Sequence, residues 1–293
     1  MPEVLVIEDG PRVELDGSPV QGTRHTVRFG SVCGSGERVA VKLERVPGAL
    51  GRERVALAGL GASTGPVPRL LCAGRARLDE GPVECLVIER RMGAPPSSPP
   101  GWRRMGRGYG RLAERTERPV ELPAHDRATF GAGHARRVAE LGARLAGLAT
   151  AIPDWASLCS DRVPGAAPLV ITHGDPGPGN FLDDGGDGSI VDWEEAQVAP
   201  RGLDLARLVF IAWLGAGPRG YPARDHEPRA REVTAGYLDA LREPWQPDGQ
   251  EWRWWLTVAG VQFIHRRWRH GGPAPWQEAT AVLGALLGAA PAR

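Results

Sequence analysis

Between Ile171 and Glu194 the chain reads ITHGDPGPGNFLDDGGDGSIVDWE, and few folds accommodate that order. An apolar run, Leu169-Val170-Ile171, leads into His173-Gly174-Asp175. Asn180 stands five places after the aspartate, a Gly/Asp-rich turn follows, and a second apolar run, Ser189-Ile190-Val191, ends on Asp192. Short apolar runs bounded by Gly, Pro and Asp read as strands. The stretch is therefore strand, loop, strand, turn, strand, with the side-chain oxygens of Asp175, Asn180 and Asp192 at the strand ends. A plain Asp/Asn/Gly surface turn does not require that spacing. Asp183, Asp184 and Asp187 read as a solvated hairpin tip.

Such a trio suits phosphoryl transfer from a nucleotide. One carboxylate orients the attacking hydroxyl and takes its proton, while an amide oxygen and a second carboxylate hold magnesium ions. The order and spacing follow the kinase pattern H-R-D-L-x-x-x-N with a later Asp. Asp175 is the expected base, and Asn180 and Asp192 are the expected Mg2+ ligands. His173 is expected to brace the loop through hydrogen bonds to backbone rather than to touch substrate.

Upstream, residues 12–43 read as β-structure. Arg12–Leu15 is a short strand closed by an Asp16-Gly17 turn, and 25–32 pairs with 38–43 through the Cys33-Gly34-Ser35-Gly36 connection. The second strand of that hairpin carries Lys42 among valines. It is placed either to meet nucleotide phosphates or to guard a sheet edge. Residues 52–60 have helical spacing and offer Glu53 to hold Lys42, with Glu44 as the rival partner. Gly22-Thr23-Arg24-His25 reads as the turn that would cover the phosphates with backbone N–H groups, with Gly22 and Thr23 as the candidate contacts. Two further strands, at 68–73 and 84–89, end on Glu89-Arg90-Arg91, where the nucleotide base would meet backbone; Glu89 and Arg91 are therefore candidate nucleotide contacts.

Composition changes at Met92. Gly93 to Gly101 is rich in Pro and Ser and reads as a stiff connector. The expected domains are a nucleotide-binding lobe, 1–92, and a catalytic and acceptor lobe, 93–293. The second is mostly helical, with helices at 134–150, 202–214, 229–242, 250–270 and 276–289. Gly106-Arg107-Gly108-Tyr109-Gly110 follows no strand, lacks Walker spacing and reads as a loop.

Lys+Arg (36) nearly cancels Asp+Glu (35), which removes any general electrostatic case for nucleic acid or an acidic membrane. Four scattered cysteines share no metal-ligand spacing and fit a reducing compartment. The first residues lack a basic stretch and a long apolar core, so no secretory leader is expected, and no apolar run reaches membrane-spanning length. A cytoplasmic monomer or homodimer acting on a small molecule is expected.

Taken together, these residues resemble the aminoglycoside phosphotransferase family, which is also similar to choline kinase and shares the protein-kinase fold. The resemblance rests on His173-Gly174-Asp175 with Asn180, on Val191-Asp192-Trp193-Glu194, and on Pro200-Arg201-Gly202-x-Asp204-Leu205-Ala206. Lys42 and Val67-Pro68 match upstream. It implies an α+β, bilobal, protein-kinase-like fold with a β-rich N-lobe and a helical C-lobe. It also implies Asp175 as base, Asn180 and Asp192 on Mg2+, Lys42 paired with Glu53 at an ATP or GTP tail, and Asp204 bracing the catalytic loop. The glycine-rich phosphate loop of protein kinases is missing, Trp-Glu follows Asp192 in place of Phe-Gly, and there is no Ala-Pro-Glu segment. These departures point to the small-molecule branch.

The expected reaction is transfer of a γ-phosphate to a hydroxyl of a small molecule, with an antibiotic (self-resistance) favoured as acceptor. The helix at 250–270 carries Trp254, His265, Arg266 and Arg269 as acceptor candidates. That basic, aromatic set suits a neutral or anionic acceptor such as a nucleoside-like molecule better than a polycation. Tryptophans at helical spacing also make core, and terminal arginines also make a solvated helix end. Asp225, Glu227, Glu232 and Asp239 could form an acidic wall for an aminoglycoside. An aminoglycoside kinase and a choline-, homoserine- or sugar-type metabolite kinase stay open. So do a catalytically silent nucleotide-binding pseudokinase and, least favoured by charge, a nucleic-acid module.

Overall fold

A computed structural model describes residues 3–22, 24–60, 65–79, 81–115, 121–144, 168–214, 226–245, 247–269 and 279–284. The chain forms two compact units: Met1–Ala94 with Glu117–Leu122 and Leu182–Ala196, and Pro95–Thr116 with Pro123–Phe181 and Gln197–Arg293. No helix among the described residues is long and apolar enough to cross a membrane.

The first unit is built on a six-stranded antiparallel sheet. Its strands are β1 (Val4–Val6), β2 (Arg12–Gln21), β3 (His25–Val32), β4 (Arg38–Glu44), β5 (Leu70–Leu78) and β6 (Gly81–Glu89), in spatial order β1-β2-β3-β4-β6-β5. Alternation in β4 sends Val39, Val41 and Leu43 into one core layer, shared with Leu5, Ile7, Val13 and Val87. Lys42, one position out of phase, therefore projects from the other face. The glycines of the β3–β4 connection take positive φ, 93° at Gly34 and 69° at Gly36, which is why this turn needs them. The turn expected at Asp16-Gly17 is instead an irregularity inside a longer β2, with the register slipping between Asp16 and Val20. Helix α1 (Gly51–Leu60) buries Glu53, Ala56, Leu57 and Leu60, spacings that place a carboxylate in line with the apolar stripe.

The second unit is mostly helical: α2 (Pro99–Ala113), α3 (Arg127–Arg144), α4 (Gly202–Leu214), α5 (His226–Asp239) and α6 (Gly249–Arg269). Strand β7 (Leu169–Thr172) pairs antiparallel with β10 (Gln197–Pro200), with Ile171 opposite Val198. The short strands β8 (Phe181–Leu182) and β9 (Ser189–Ile190) form a separate two-stranded ribbon, of which Leu182, Ser189 and Ile190 belong to the first unit. The helical core gathers Phe130, Val138, Leu141, Leu203, Phe210, Trp255, Val258 and Ile264.

Two further sequence expectations fail here. The connector read over 93–101 ends early, because Ser98 is an N-cap accepting from the Gly101 N–H at 3.3 Å and Pro99 opens α2. The glycine-rich stretch 106–110 lies inside that helix rather than in a loop. A Cβ at Gly106 or Gly110 would overlap backbone of Val233 or Tyr237 on α5, and one at Gly236 would overlap the Arg103 carbonyl. Glycine there serves close helix crossing, which composition alone does not distinguish from a turn. The helix expected over 134–150 starts earlier, at Arg127, and its residues beyond 144 lie outside the described ones. Of the expected 276–289 helix, 279–284 are described and helical.

Candidate active site

In the first unit, Lys42 is the organising charge. It is also the only lysine in the chain, every other strong base being arginine. Its Nζ donates to both Glu53 oxygens at 2.8 Å and to Asp192 Oδ1 at 2.7 Å. Burial alone would pull the ammonium pKa down. The Glu53 and Asp192 carboxylates outweigh that and raise it, so the amine stays charged. Glu53, not Glu44, is the partner; Glu44 instead accepts from the Leu50 N–H at 3.1 Å, just ahead of α1. Glu53 Oε1 also accepts the Trp193 N–H at 3.3 Å, and Trp193 Nε1 donates to the Ile190 carbonyl at 2.9 Å. One buried carboxylate thus fixes both the lysine and the backbone beside Asp192. Asp192 itself has φ 69°, a strained left-handed position that a non-glycine residue holds only when its surroundings dictate it.

Beside this cluster lie two side chains to which the sequence reading gave no role, His25, taken only for its backbone in the phosphate turn, and Glu194, quoted only in the motif after Asp192. Donor atoms of His25, Asp192 and Glu194 all fall within 4.8 Å of one another. His25 Nδ1 and Glu194 Oε2 are buried without a hydrogen-bond partner. Burial, then the adjacent Asp192 carboxylate, pushes Glu194 above the usual carboxylate range. Burial, then Lys42, pulls the His25 imidazole below its usual value. Unsatisfied oxygen and nitrogen atoms beside a carboxylate fit a site that a divalent cation or a phosphate chain completes. Arg24 pairs with Glu195 at 3.0 Å and lies 3.9 Å from Glu194. Gly22 sits in the β2–β3 turn, where its N–H donates to the His25 carbonyl at 2.9 Å; Thr23 lies outside the described residues. At the end of β6, Glu89 pairs with Arg91 at 3.0 Å and accepts from the Arg69 N–H at 3.2 Å.

In the second unit, the loop after β7 is held by Asp204 from the first turn of α4. Its carboxylate accepts the His173 N–H at 2.6 Å and the Gly174 N–H at 3.3 Å. Gly174 has φ 82°, which turns the chain sharply toward Asp175. Full burial raises the Asp204 pKa, and the nearby His173 works against that rise. His173 Nδ1 accepts the Asp175 N–H at 3.3 Å, and its ring stands edge-on to Tyr109. Asn180 Nδ2 donates to the Asp175 carbonyl at 2.9 Å. That bond fixes which end of the amide is engaged and leaves the oxygen end as the group suited to a hard cation.

Asp175 faces a small open pocket with Pro176, Arg207, Phe210, Ile211, Ala259, Gln262, Phe263 and Arg266. Arg266 Nη1 lies 2.6 Å from Asp175 Oδ1. The other acceptor candidates on α6 do not line this pocket. Trp254 packs on Trp255, Phe130 and His134. His265 and Arg269 both bond Glu140 on α3, at 2.9 and 3.0 Å. The acidic wall is also spent: Arg103 on α2 lies 2.6 Å from Asp239 and 3.7 Å from Glu232. Asp225 and the Glu227 side chain lie outside the described residues.

The family model described as the phosphotransferase enzyme family (APH) matches residues 42–255, from Lys42 through Asp192 to the core tryptophan of α6. The chain belongs to this family. Solved structures of the same kind share the fold. Macrolide 2′-phosphotransferase MphH from Brachybacterium faecium is 18% identical, with TM-score 0.60 over 92% of this chain and 93% of that one. Aminoglycoside phosphotransferase APH(4)-Ia is 14% identical, with TM-score 0.63 over 94% of each chain. Amicoumacin kinase hAmiN, solved in complex with AMP-PNP, Ca2+ and Ami, is 12% identical, with TM-score 0.59 over 92% of this chain and 86% of that one. Likeness at these identities establishes the α+β, protein-kinase-like fold alone. No curated protein sequence matches the chain.

Proposed function

We propose that this phosphotransferase moves the γ-phosphate of ATP or GTP to a hydroxyl of a small, neutral or anionic molecule, with antibiotic self-resistance as the setting. The observation that carries the reading is the sole lysine, buried and held by Glu53 and Asp192 at once. Lys42 would meet the nucleotide phosphates. Asp192 and Asn180 would hold a divalent ion, whose chemistry is to neutralise charge on the phosphate oxygens. Asp175 orients the acceptor hydroxyl and receives its proton. The acceptor O–P bond forms as the bond from the γ-phosphorus to its bridging oxygen breaks, and nucleoside diphosphate leaves. Asp204 and His173 position the loop, and no proton passes through them. The macrolide, aminoglycoside and amicoumacin names among the fold relatives support the antibiotic setting.

The test is nucleotide consumption with a panel of antibiotics and metabolic alcohols grouped by charge. Asp175→Asn should lower turnover by about 10²–10⁴-fold with circular dichroism unchanged. Chelation of the divalent ion should abolish turnover. An amine-reactive acyl phosphate of ATP or GTP should acylate Lys42, the only lysine, and free nucleotide should protect it. Labelling without protection, or an Asp175→Asn enzyme of full activity, overturns the reading.

A further inference from the structure

The pocket at Asp175 has a composition of its own. On α6, Ala259, Gln262, Phe263 and Arg266 recur at helical spacing and share one face. On α4, Arg207, Phe210 and Ile211 line the opposite side. The walls are therefore largely apolar and aromatic. The described charges on them are two guanidiniums, Arg207 and Arg266, and one carboxylate, Asp175. Arg207 donates to Gln262 Oε1 through Nε at 3.0 Å and through Nη2 in a shorter contact, which fixes its plane between the two helices.

Further out, both signs are present: on α4 the Arg207 guanidinium acts on the buried Asp204 carboxylate, working against its raised pKa. Burial, then Arg207, Arg136 and Arg269, lower the Arg137 pKa on α3, and Glu140 is the opposing charge. Glu140 is itself taken up by His265 and Arg269. Among the described residues, Asp175 is the only acidic group lining the pocket, and Arg266 already pairs with it. A polyamine entering here would meet like charge and would have to displace an arginine from the one carboxylate available to it.

The Asp175–Arg266 pair is also easy to exchange. The two side chains keep 42% and 48% of their surface, and half-exposed pairs contribute little to stability. Arginine forms its strongest contacts with planar acid groups through paired N–H bonds.

We propose that the acceptor bears an acid group, carboxylate or phosphate, next to the reacting hydroxyl. Arg266 moves from Asp175 onto that acid as the acceptor enters, and Arg207 faces it as the second cation. The apolar part of the acceptor lies on Phe210, Ile211 and Phe263. This rests on the kinase reading above and narrows its acceptor to an acid-bearing alcohol. It also gives Arg266 a specificity role: an acceptor without the acid leaves the arginine on the base.

The probe is a pair of flat molecules of equal shape, benzoate and benzamide, with phenyl phosphate as a third arm to separate carboxylate from phosphate. Binding to the full chain is followed by calorimetry without nucleotide, so the result does not depend on turnover. Benzoate or phenyl phosphate should bind at least about tenfold more tightly than benzamide, as expected for a charge-assisted pair at a half-exposed arginine. Arg266→Gln should remove that preference, while Arg253→Gln, exposed at the far end of α6, should keep it. Asp175→Asn should tighten benzoate, because it releases Arg266. Benzamide binding as well as benzoate, absence of binding by all three probes, or an Arg266→Gln protein with unchanged preference overturns the inference. Acid preference in a protein that never consumes nucleotide would keep this pocket and sink the kinase reading instead.

Discussion

In the first unit Lys42 and Glu53 keep 10% and 1% of their side-chain surface, whereas in the second Asp175 and Arg266 keep 42% and 48%. Both are short ion pairs, and they do opposite work. A buried pair whose members are multiply bonded stays assembled, because releasing either charge leaves the other stranded in a dry interior. A half-exposed pair can trade partners at little cost. Under the proposed function, nucleotide chemistry would repeat in every turnover with the same phosphates, which a rigid lysine would suit. Acceptor recognition would have to open for a molecule and close on it, which an exchangeable arginine would suit. The chain's sole lysine sits on the rigid side and arginine on the exchangeable one.

The sharpest way to break the comparison is to remove one member of the buried pair. Glu53→Gln leaves the Lys42 ammonium with Asp192 alone and also weakens the acceptor of the Trp193 N–H. Stability of the first unit should fall by about 3 kcal/mol, read as a shift of the urea midpoint. Combining Lys42→Met with Glu53→Leu should recover part of that loss, because both buried charges leave together, while the Trp193 N–H without its acceptor and Asp192 without its cation keep the recovery incomplete. Apolar side chains replace a buried pair well, but they cannot bind phosphate. A single variant costing under about 1 kcal/mol would place Lys42 in the exchangeable class after all.

Within the second unit the helices differ in how closely they approach their neighbours, and here the expected effect is smaller. Glycine to alanine inside a helix normally stabilises by about 1 kcal/mol. At Gly236 the added Cβ would overlap the Arg103 carbonyl of α2. The sign should therefore reverse, to a net loss of about 1–2 kcal/mol once overpacking exceeds the propensity gain. Gly133 on α3 is the control, since its nearest neighbour would be the Arg137 side chain at 3.5 Å. Gly133→Ala should gain about 0.5–1 kcal/mol. Thermal midpoints moving in the same direction for both would show that α2 and α5 have room to spare.

These contrasts mark what could be read in advance. Alternation in β3 and β4 and the apolar stripe of α1 are local patterns, so Lys42 and Glu53 could be set on successive elements, while Glu44 stayed open as a rival partner until the structure showed the contact with Glu53. His173, Asp175, Asn180, Asp192 and Asp204 stood out because their order is rarely met by chance. The glycines of α2 were misread because the partner that explains them, α5, lies more than 100 residues away in sequence. The start of α2 was legible in Ser98-Pro99, yet proline-rich composition hid it. On α6 helical phase could not sort the candidates. At about 100° per residue Trp254, His265 and Arg269 fall within about 60°, and Arg266 lies only about 60° beyond Arg269. What separates them is their partners, Glu140 for His265 and Arg269 and Asp175 for Arg266, which lie on distant elements. Arg207 offered only its position three places after Asp204 on α4. His25 and Glu194 stood in stretches already singled out, but nothing in the sequence gave their side chains a role, because their burial beside Asp192 depends on strands distant in sequence.

Cys85 gives an effect that is absent at neutral pH and tests whether the sheet of the first unit is as closed as its ion pair implies. It lies on β6 with 2% exposure, opposite Leu43. Burial, then Cys72, raises its thiol from an ordinary 9.0 to about 11. Above pH 9 the unfolded chain gives up this proton while the folded chain keeps it, so protons bound in the folded state exceed those in the unfolded one. Stability is then fully present below about pH 9 and falls as pH rises through about 11, by at most about 2–3 kcal/mol for two pKa units. Tyr237, buried in the second unit and also pushed upward, adds an alkaline slope of its own. The informative quantity is therefore the difference between the wild type and Cys85→Val, measured by urea unfolding at half-unit steps from pH 8.5 to 11 (about 0.7 kcal/mol per step at full slope). The two curves should run parallel below pH 9 and converge above it. Parallel curves across the whole range would mean that water reaches the thiol, and the rigidity assigned to the sheet around Lys42 would have to come from the ion pair alone.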